Sequence, residues 1–436
     1  MALEAFEKID VMELAAKKTL NIDFDCSQKT AVSLFTGAGG LDLGLEMAGF
    51  IPVLCVEVDN DARKTLLLNR PKWRLSRPGD IHHLTPAELI KQVSLKPRQL
   101  TLLSGGPPCQ PFSKSAYWLT GDSGRLRDPR ARTLNAYLDV VEKLLPHVLI
   151  FENVLGFSYN GKEEGLNLLE FGLRAINRRN NSNYVARICK IDAADYGVPQ
   201  HRDRIFLIAS IDGDAFNIPP ATHGKRNGGE EYLTAWDAIG QLYEDEWPDK
   251  LAPTGKWAAL LQSIPEGRNY LWHTPRNVQY GGVPLFGWRT RYWSFLLKLS
   301  KNKPSWTIQA APGPATGPFH WQNRLLSIEE LSRLQTFPFS FRFSGSRRSV
   351  QRQIGNAVPS ALAEFLGLEI RRQILKEPIH RDLQLLPKRM RSVCPDPEPI
   401  APVPRQYLSL IDNHADHPGT GLGPAAVRRQ STDVLR

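Results

Sequence analysis

The chain has 436 residues, of which 42% are hydrophobic and 23% are charged, and its formal net charge is +10. This is an ordinary globular composition, long enough for a full-sized catalytic domain and a smaller one, and its apolar runs are too short to span a membrane. The positive charge suits a polyanionic partner. The five cysteines lie far apart without a CxxC pair, which argues against a disulfide framework or a zinc site and predicts a cytoplasmic protein.

The first 29 residues predict a helical extension. The apolar residues Leu3, Phe6, Val11 and Leu14 follow a helical spacing, with acidic residues among them. A secretory signal would need a basic start and an uninterrupted apolar core, so this segment does not predict one. We therefore expect residues 1–29 to form a short amphipathic helix that packs onto the rest of the protein.

Residues 30–212 alternate short apolar runs with helical stretches. The apolar runs predict buried strands at Ala31–Phe35, Ile51–Asp59, Gln99–Gly106, His147–Val154 and Arg204–Ser210. Between them, segments such as Leu41–Phe50 and Thr133–Leu145 have helical spacing. This alternation predicts an α/β domain with a mainly parallel sheet and helices on both of its faces.

The character of the sequence changes after Asp212. Residues 213–322 are rich in Pro, Gly and aromatic residues, and eight of the ten tryptophans fall between Trp236 and Trp321. We expect a second, smaller domain here that is rich in loops and strands. Helical patterns return at Ser327 and over Ser360–Leu375, so we expect residues 323–376 to rejoin the first domain. Residues 377–436 are proline-rich and weakly patterned, which predicts a loosely ordered tail.

A glycine-rich turn follows the first predicted strand, in the sequence SLFTGAGGLDLG. Gly37, Gly39 and Gly40 allow tight backbone geometry and close approach of a ligand, although such a turn can also simply connect a strand to a helix. Glu57 ends the next strand, where such folds hold a ribose hydroxyl, and Asp80 lies at the predicted end of a third strand. The spacing is GxGG and not GxGxxG, which favours a nucleoside ligand without a pyrophosphate over a dinucleotide.

Cys109 lies between prolines in the sequence GGPPCQPFS, directly after a predicted strand and a glycine pair. Ligand sites of open α/β sheets lie at such strand ends, and a thiolate on a stiff loop can be aimed at one atom. The alternative is a buried structural cysteine, which is our interpretation of Cys26, Cys55 and Cys189.

GGPPCQPFS resembles the signature of the cytosine-C5 DNA methyltransferase family, and the family's other blocks follow in the family's order. These are the glycine-rich turn, Glu57 in VEVD, Asp80 in GDI, the ENV block Glu152–Val154, QxRxR at Gln200–Arg204, RLLSIEELSRLQTFP at Arg324–Pro338 and QIGNAVP at Gln353–Pro359. The match covers about residues 30–375, and several blocks in one order make chance agreement negligible. The resemblance implies a Rossmann-like sheet that uses S-adenosylmethionine, together with a smaller recognition domain.

The resemblance also implies roles for individual residues. The implied cofactor-binding residues are Phe35, Gly37, Ala38, Gly39, Gly40, Leu41, Glu57, Asp80, Ile81, Pro108, Asn356 and Val358. The implied catalytic residues are Cys109, Glu152, Arg202 and Arg204, and the implied supports of the catalytic loop are Gln110, Asn153 and Gln200. The chemistry requires no metal, and the sequence contains no cluster that predicts a metal site.

Cytosine C5 is a poor nucleophile, which explains why these residue types are needed. Attack of the Cys109 thiolate on C6 turns the ring into an enamine, and a protonated carboxyl at N3 stabilises the developing charge. Glu152 fits that position if burial raises its pKa. Arg204 is expected at the base O2, and Arg202 at the catalytic loop or a phosphate. The sequence offers no evident base for the C5 proton.

The target base must leave the duplex stack, so part of the protein must hold the DNA. The segment Leu251–His320 contains eight basic residues against one acid, Glu266, interleaved with aromatic residues. This pattern suits phosphate contacts and groove readout, although most of the tryptophans are better explained as a small core. The candidates for DNA contact from this pattern are Arg268, Arg276, Arg289, Arg291 and Lys298. Thr307 is a further candidate, because the pair Thr307–Ile308 resembles the Thr-plus-aliphatic pair of the family's variable domain.

The leading hypothesis is therefore a monomeric enzyme that methylates duplex DNA, with a separate restriction endonuclease as a possible companion. A tRNA cytosine-C5 methyltransferase is built on the same blocks, but the long basic insertion favours DNA. A catalytically inactive DNA-binding regulator is opposed by the intact Cys109, Glu152 and Arg204. A nicotinamide-dependent dehydrogenase is opposed by the GxGG spacing.

Overall fold

A computed structural model describes residues 28–107, 131–154, 164–224, 228–242, 244, 248–287, 293–390 and 392–411. The N-terminal extension up to residue 27 lies outside the described residues. So do five of the predicted site residues, namely Pro108, Cys109, Gln110, Arg289 and Arg291.

Six strands form one sheet in the order β2-β1-β3-β4-β6-β5. Their bounds are β1 Thr30–Leu34, β2 Ile51–Val56, β3 Leu102–Gly105, β4 Val148–Val154, β5 Arg187–Asp192 and β6 Asp203–Ser210. Strands β2, β1, β3 and β4 pair in parallel, and β6 runs antiparallel to both β4 and β5. The predicted mainly parallel α/β sheet is thus confirmed, and the five predicted runs correspond to β1–β4 and β6.

The register brings the carboxyl ends of the central strands together. Leu34 of β1 pairs with Gly105 of β3, and Gly105 pairs with Phe151 of β4. The glycine-rich turn after β1, the Gly-Pro segment after β3 and Glu152 near the end of β4 therefore meet at one edge of the sheet. This is the edge at which open α/β sheets bind their ligands.

Two details of the sheet differ from the prediction. Strand β5 has no long apolar run because it is an edge strand, in which exposed Arg187 and Lys190 alternate with buried Cys189 and Ile191. The expected strand before Asp80 is absent from the described chain, where a single bridge joins Cys55 to Leu75. Pro78 lies just ahead of Asp80 and cannot donate to a sheet ladder, so this segment forms turns.

Helices cover both faces of the sheet. On one face, Pro86–Val93, Ala131–Leu144 and Glu164–Asn180 share a core with Val32 and Leu34 of β1. On the other face, Gly40–Met47 and Ser360–Gln373 pack with Ala31 of β1. The alternation along β1 follows the two-residue period of a strand buried on both sides. The remaining described α-helices are Asn60–Asn69, Ala235–Ile239, Ile328–Leu334 and Arg347–Asn356.

Glycine allows the late helix Ser360–Gln373 to pack tightly on the helix that follows the glycine-rich turn. A Cβ atom at Gly44 would lie 2.2 Å from the Ser360 carbonyl oxygen and 2.4 Å from the Ala363 side chain. Only a residue without a side chain permits this approach. The helix Ser360–Gln373 is thereby held against the helix Gly40–Met47.

The region of residues 213–322 is rich in loops, as predicted, but its described part contains short 3₁₀ helices and isolated bridges in place of the expected strands. It has its own hydrophobic cluster, which includes Leu260, Tyr270 and Phe319. Trp236 and Trp321 are buried in a neighbouring cluster with the helix Ile328–Leu334. These two tryptophans build the core, as expected for most of them, whereas Trp293 and Trp306 are exposed.

The proline-rich segment after residue 376 is packed against the protein where it is described, and the expectation of a loose tail is wrong there. We call residues 377–390 and 392–411 the C-terminal strap. It has one 3₁₀ helix, Arg405–Leu410, and its Tyr407 is 3% exposed. The backbone N–H groups of Gln384 and Leu385 donate to Glu364, which is fully buried in the helix Ser360–Gln373. Side-chain hydrogen bonds and apolar contacts thus replace regular secondary structure.

Candidate active site

A cavity of about 540 Å³ opens at the carboxyl ends of β1–β4. Its walls come from the glycine-rich turn, the segments after β2 and β3, the end of β4 and the helix Arg347–Asn356. Of the predicted cofactor-binding residues, those lining it are Phe35, Gly37, Ala38, Gly40, Leu41, Glu57, Asp80, Ile81, Asn356 and Val358. Residues from distant parts of the sequence therefore share one site.

The glycine-rich turn has the backbone geometry that its sequence predicts. Gly37 and Gly39 have φ values of 56° and 82°, in the left-handed region that favours glycine. A Cβ atom at Gly40 would lie 2.4 Å from the Val358 carbonyl oxygen. Gly39 does not line the cavity, but a Cβ there would lie 2.8 Å from Leu66. The turn thus combines an open ligand surface with close packing behind it.

Glu57 is a buried carboxylate at the end of β2. One oxygen accepts from the Gly37 N–H at 2.6 Å and the other from the Asp59 N–H at 2.7 Å. Burial raises the pKa of Glu57, and these two hydrogen bonds oppose the rise. Asp80 lies farther out, where one oxygen accepts from the His82 N–H at 2.9 Å. Both side chains line the cavity on its β2 side.

Glu152 and Arg204 form an ion pair on the opposite side of the cavity. Glu152 Oε1 lies 2.7 Å from Arg204 Nε, and both side chains are nearly buried. Burial raises the pKa of Glu152, while the charges of Arg204 and Arg202 oppose the rise. The predicted direction of this pKa shift is confirmed. Gly106 leaves the carboxylate accessible, because a Cβ there would lie 2.9 Å from Glu152 Oε2.

Asn153 anchors the start of the segment that carries Cys109 in the sequence. Its side-chain amide donates to the Pro107 carbonyl oxygen at 3.3 Å, and its own oxygen accepts from the Val154 N–H at 2.9 Å. Pro107 is the last described residue before Cys109. The ENV block therefore holds Pro107 directly beside Glu152.

Arg202 has a different environment from Arg204. It is 1% exposed, and its guanidinium donates to the carbonyl oxygens of Ile308, Gly355 and Ala357. A phosphate cannot reach a guanidinium that is buried in this way, so a phosphate contact by Arg202 is contradicted. Its hydrogen bonds instead clamp residue 308 to the end of the helix Arg347–Asn356. Arg204, by contrast, pairs directly with Glu152.

Gln200 extends this clamp. Its oxygen accepts from the Ile308 N–H at 3.0 Å, and its amide donates to the Leu334 carbonyl oxygen at 3.2 Å. The same amide contacts the Gln335 side chain, which in turn donates to the Ile354 carbonyl oxygen. Gln200 and Arg202 together join the 213–322 region to the helix Arg347–Asn356, which lines the cavity, and to the end of the helix Ile328–Leu334.

Residues 30–372 match the family of C-5 cytosine-specific DNA methylases. The chain belongs to this family. It is 36% identical over 373 residues to the Type II methyltransferase M.SacI of Streptomyces achromogenes, covering 79% of this chain and 93% of the relative. It is 30% identical over 355 residues to M1.HphI of Haemophilus parahaemolyticus, covering 78% and 86%. The chain is therefore a DNA (cytosine-5-)-methyltransferase of the bacterial restriction–modification type.

Solved structures agree on the fold of this methyltransferase. A DNA modification methyltransferase encoded within an E. coli prophage gives a TM-score of 0.54 at 23% identity, covering 80% of this chain and 99% of that one. A DNMT2 variant of Spodoptera frugiperda gives 0.54 at 17% identity, covering 79% and 100%. Both support the Rossmann-like methyltransferase sheet. No described helix is both long and apolar enough to cross a membrane.

The candidates for DNA contact in the methyltransferase divide by exposure. Arg268, Arg276 and Thr307 are exposed, and the Thr307 hydroxyl donates to the His201 carbonyl oxygen at 2.7 Å. Lys298 is 2% exposed, and burial lowers its pKa to about 8. This burial contradicts its assignment as a DNA contact. Lys301, which contributed to the basic pattern, is also buried and pairs with Glu266 at 2.6 Å.

The sequence interpretation missed three charged residues that line the cavity of the methyltransferase. Arg352 pairs with Asp59 at 2.6 Å across its mouth, and Asp42 is buried beneath the glycine-rich turn. Arg352 directly precedes the QIGNAVP block, and Asp42 lies within SLFTGAGGLDLG. Their positions inside or beside the motifs were the only indication that they could line the site. The sequence pattern did not distinguish them from ordinary residues on a helix surface.

Proposed function

We propose that this methyltransferase transfers a methyl group from S-adenosylmethionine to C5 of a cytosine in a specific duplex DNA sequence, through base flipping and covalent attack of Cys109 on C6. The observation that carries the proposal is the shared cavity of Glu57 and Glu152. Glu57 lies where such folds hold a ribose, and Glu152 is buried beside Arg204. A nucleoside cofactor and a flipped base can meet only in such a joint site.

The residues present fit S-adenosylmethionine. Glu57 retains acceptor capacity for ribose hydroxyls after its two backbone hydrogen bonds, since a carboxylate has about four lone-pair sites. Asp80 and Ile81 line the outer part of the cavity, where we place the adenine. When bound, S-adenosylmethionine supplies an electrophilic methyl group.

The flipped cytosine would occupy the side of the cavity nearest Glu152. In its protonated form Glu152 donates to N3, and Arg204 is the cation available for O2. The Cys109 thiolate adds to C6, so that a C–S bond forms and the ring electrons move toward C5. After methylation the C5 proton leaves to a base, the C–S bond breaks and the thiolate is released. Asn153 supports this step by anchoring Pro107, two residues before Cys109.

We further infer that residues 213–322 read the DNA sequence. Arg268, Arg276 and Thr307 are the described candidates that remain exposed, and Arg289 and Arg291 stay predictions from the sequence alone. Flipping one base costs about a few kcal/mol, which these contacts would offset. The relatives named above are Type II methyltransferases. We therefore also propose that the enzyme acts as a monomer, with any companion endonuclease acting separately.

One assay tests the proposal and its main alternative. The purified protein is incubated with tritiated S-adenosylmethionine and duplex DNA, tRNA or no nucleic acid. We expect label to enter duplex DNA as 5-methylcytosine and not to enter tRNA. Label in tRNA alone would replace the DNA substrate with RNA, and the absence of label in both nucleic acids would overturn the proposed activity.

A further inference from the structure

Two indole side chains are exposed beside the QxRxR block, and the proposed function assigns them no role. Trp293 is 46% exposed and Trp306 is 37% exposed, whereas Trp236 and Trp321 are buried. The two exposed rings meet edge to face, with centroids 5.6 Å apart. Large aromatic side chains that lie together on a protein surface indicate a contact site for a partner.

The two indoles belong to a longer row of rings that reaches the QxRxR block. The ring centroid of Trp306 lies 5.7 Å from that of His201, and the His201 centroid lies 5.5 Å from that of Tyr232. We call Trp293, Trp306, His201 and Tyr232 the aromatic row. Its tryptophan end comes from the 213–322 region, and His201 directly precedes the buried Arg202. The row therefore lies at the junction of the two parts of the fold.

The backbone beneath the two indoles is held by hydrogen bonds. The His201 N–H donates to the Ser305 carbonyl oxygen at 2.8 Å, and the Thr307 hydroxyl donates to the His201 carbonyl oxygen at 2.7 Å. The Trp293 carbonyl oxygen accepts from the side-chain amide of Asn269 at 2.7 Å. Because these positions are fixed before a partner binds, little conformational entropy is lost when the rings make contact.

The aromatic row lies close to the position that the proposed function gives to the flipped cytosine. Arg204, which pairs with Glu152 in the wall of the cavity, follows His201 by three residues. Three residues span at most about 11 Å, whereas the major groove of DNA alone is about 12 Å wide. A duplex that places one cytosine beside Arg204 therefore comes within reach of the row.

The tryptophan end of the row has basic neighbours. Arg268 directly precedes Asn269, the residue that holds Trp293, and it is exposed. Lys303, which is also exposed, lies three residues before Trp306. Cations placed in this way attract the phosphates of a nucleic acid toward the two indoles.

The opposite end of the row is acidic. The carboxylates whose charge acts on His201 are those of Asp192, Asp195 and Asp203, and Asp192 lies 2.8 Å from His201 Nδ1. The Tyr232 hydroxyl donates to Asp195 at 2.8 Å. These carboxylates repel phosphates. The charges therefore direct a DNA strand to the tryptophan end of the row and away from His201.

We propose that Trp293 and Trp306 stack against the nucleotides that flank the flipped cytosine and hold the opened duplex in place. This proposal rests on the proposed function, because it assumes base flipping in duplex DNA. Flipping removes a stacking neighbour from the adjacent bases, and an indole ring can take its place whatever the sequence, since every base has a π-face. The two tryptophans thus contribute affinity for the opened DNA without reading its sequence.

The affinity of the full chain for duplex DNA, measured by fluorescence anisotropy over a range of salt concentrations, tests this contact. The probe is a labelled duplex that carries the cytosine located by bisulfite sequencing, with S-adenosylhomocysteine present. We expect Trp306→Ala and Trp293→Ala each to weaken binding by about fivefold or more, and Trp306→Phe to retain most of the affinity. The loss should be equal at every salt concentration, because stacking releases no counterions, whereas the loss of phosphate contacts flattens the salt dependence.

Two results with DNA would overturn the proposal: unchanged affinity in both alanine variants, or a flattened salt dependence, which would mean that the variants have lost phosphate contacts and not stacking. A third is a wild-type dimer that Trp306→Ala dissociates in analytical ultracentrifugation, because it would assign the two indoles to a second copy of the chain. Trp293→Ala keeps the test valid if Trp306→Ala is poorly folded, since Trp293 is the more exposed ring.

The matched control is Phe171→Ala, which removes a ring that is 66% exposed on the helix Glu164–Asn180. This variant should bind DNA as the wild type does, and a loss equal to that of Trp306→Ala would contradict the proposal. If the wild type itself fails to bind duplex DNA, the proposed function fails, independently of the two tryptophans.

Discussion

At the scale of single residues, the environment of Glu152 combines two opposing effects. Burial favours the protonated carboxyl, and Arg204 at 2.7 Å favours the charged form, yet the pKa remains raised. A carboxyl in this balance can donate a proton or hydrogen bond at N3 and return to the ion pair afterwards. Arg204 stabilises the resting carboxylate, and under the proposed function it would also meet charge that develops on the base.

We predict that Glu152→Gln slows methyl transfer by about 10²–10⁴-fold, because an amide can hydrogen-bond to N3 but cannot transfer a proton. Single-turnover rates with duplex DNA would measure this, and binding of S-adenosylmethionine should be unchanged. Glu329→Gln, at an exposed position of the helix Ile328–Leu334, is the control and should leave the rate unchanged. A fully active Glu152→Gln variant would contradict the role of Glu152 as an acid.

His201, within the QxRxR block, offers a prediction about pH. Its Nδ1 lies 2.8 Å from Asp192 Oδ2, and this hydrogen bond raises the pKa of His201. Burial acts to raise the pKa of Asp192, but the hydrogen bond and charge of His201, together with the hydrogen bonds from the Arg202 and Ala194 N–H groups, outweigh burial and the pKa is lowered. The ion pair therefore contributes its full stabilisation at pH values between the unfolded-state pKa of Asp and that of His. That stabilisation is lost as pH rises through the raised pKa of His201.

We predict that His201→Gln lowers the free energy of unfolding by at most about 1 kcal/mol near pH 5.5, since the pair is partly exposed. The difference from the wild type should shrink as pH rises to about 9, where His201 is neutral in both states. Denaturant midpoints at the two pH values would measure it. A deficit that grows with pH would have the wrong sign for this ion pair.

At the scale of elements, the C-terminal strap joins two parts of the fold. It contributes Glu398 and the Asp396 carbonyl oxygen to the buried Lys301, which also pairs with Glu266 and lies over the Trp321 ring. Farther on, Tyr407 stacks on Trp257 with ring centroids 5.7 Å apart and donates to the Lys256 carbonyl oxygen at 2.8 Å. The strap thus completes the core of the 213–322 region from outside that range.

We predict that Tyr407→Ala destabilises this region by about 3–5 kcal/mol, because a large buried ring leaves a cavity. Tyr407→Phe keeps the ring and loses one hydrogen bond, so it should cost only about 1 kcal/mol. Hydrogen exchange of the peptides around Trp257 and Tyr270 would report the loss locally. Unchanged protection in Tyr407→Ala would mean that the strap does not support the region.

These elements also separate what the sequence could predict from what it could not. The apolar runs of β1–β4 and β6 and the glycine-rich turn can be predicted, because the local structure dictates their residue types. The half-exposed strand β5 and the C-terminal strap cannot be predicted in this way, since distant parts of the chain bury their residues. The same reason explains Arg202 and Lys298, which look like surface cations in the sequence but are covered by neighbouring elements in the fold.

The residues of the site could likewise be predicted only where local sequence motifs dictate them. Glu57 and Glu152 were identified because they belong to motifs at strand ends, where the fold dictates the geometry. Asp42 and Arg352 lie on helices whose patterns predict only helix surfaces, and their place in the cavity depends on packing. Side-chain partners were therefore the part of the site that the sequence could not specify.

At the scale of the whole molecule, the proposal divides chemistry from sequence readout. The residues assigned to chemistry lie before Asp212 and after Asn323, and Arg268 and Arg276, the exposed basic candidates for DNA contact, lie between them. The two parts meet at the Gln200 and Arg202 clamp and at the C-terminal strap. An exchange of residues 213–322 for another segment must therefore preserve these two junctions.

We predict that replacing residues 213–322, together with the strap, by the matching segments of M.SacI moves the methylated site to that of this relative while turnover survives. Exchanging residues 213–322 without the strap serves as the comparison, and it should give a less stable protein because Lys301 and Trp257 lose matched partners. Bisulfite sequencing of methylated DNA would read the target. An active chimera that still methylates the original site would place sequence readout elsewhere in the chain.

The central claim, covalent attack by Cys109, is tested most directly by trapping. Duplex DNA containing 5-fluorocytosine is incubated with the enzyme and S-adenosylmethionine, because fluorine at C5 cannot leave as a proton does and the C–S bond then persists. We predict a denaturation-resistant protein–DNA complex whose modified peptide maps to Cys109. It should be absent in Cys109→Ser and present in Cys394→Ser, which removes a partly exposed free thiol. The absence of such a complex, or an adduct on another residue, would contradict the account.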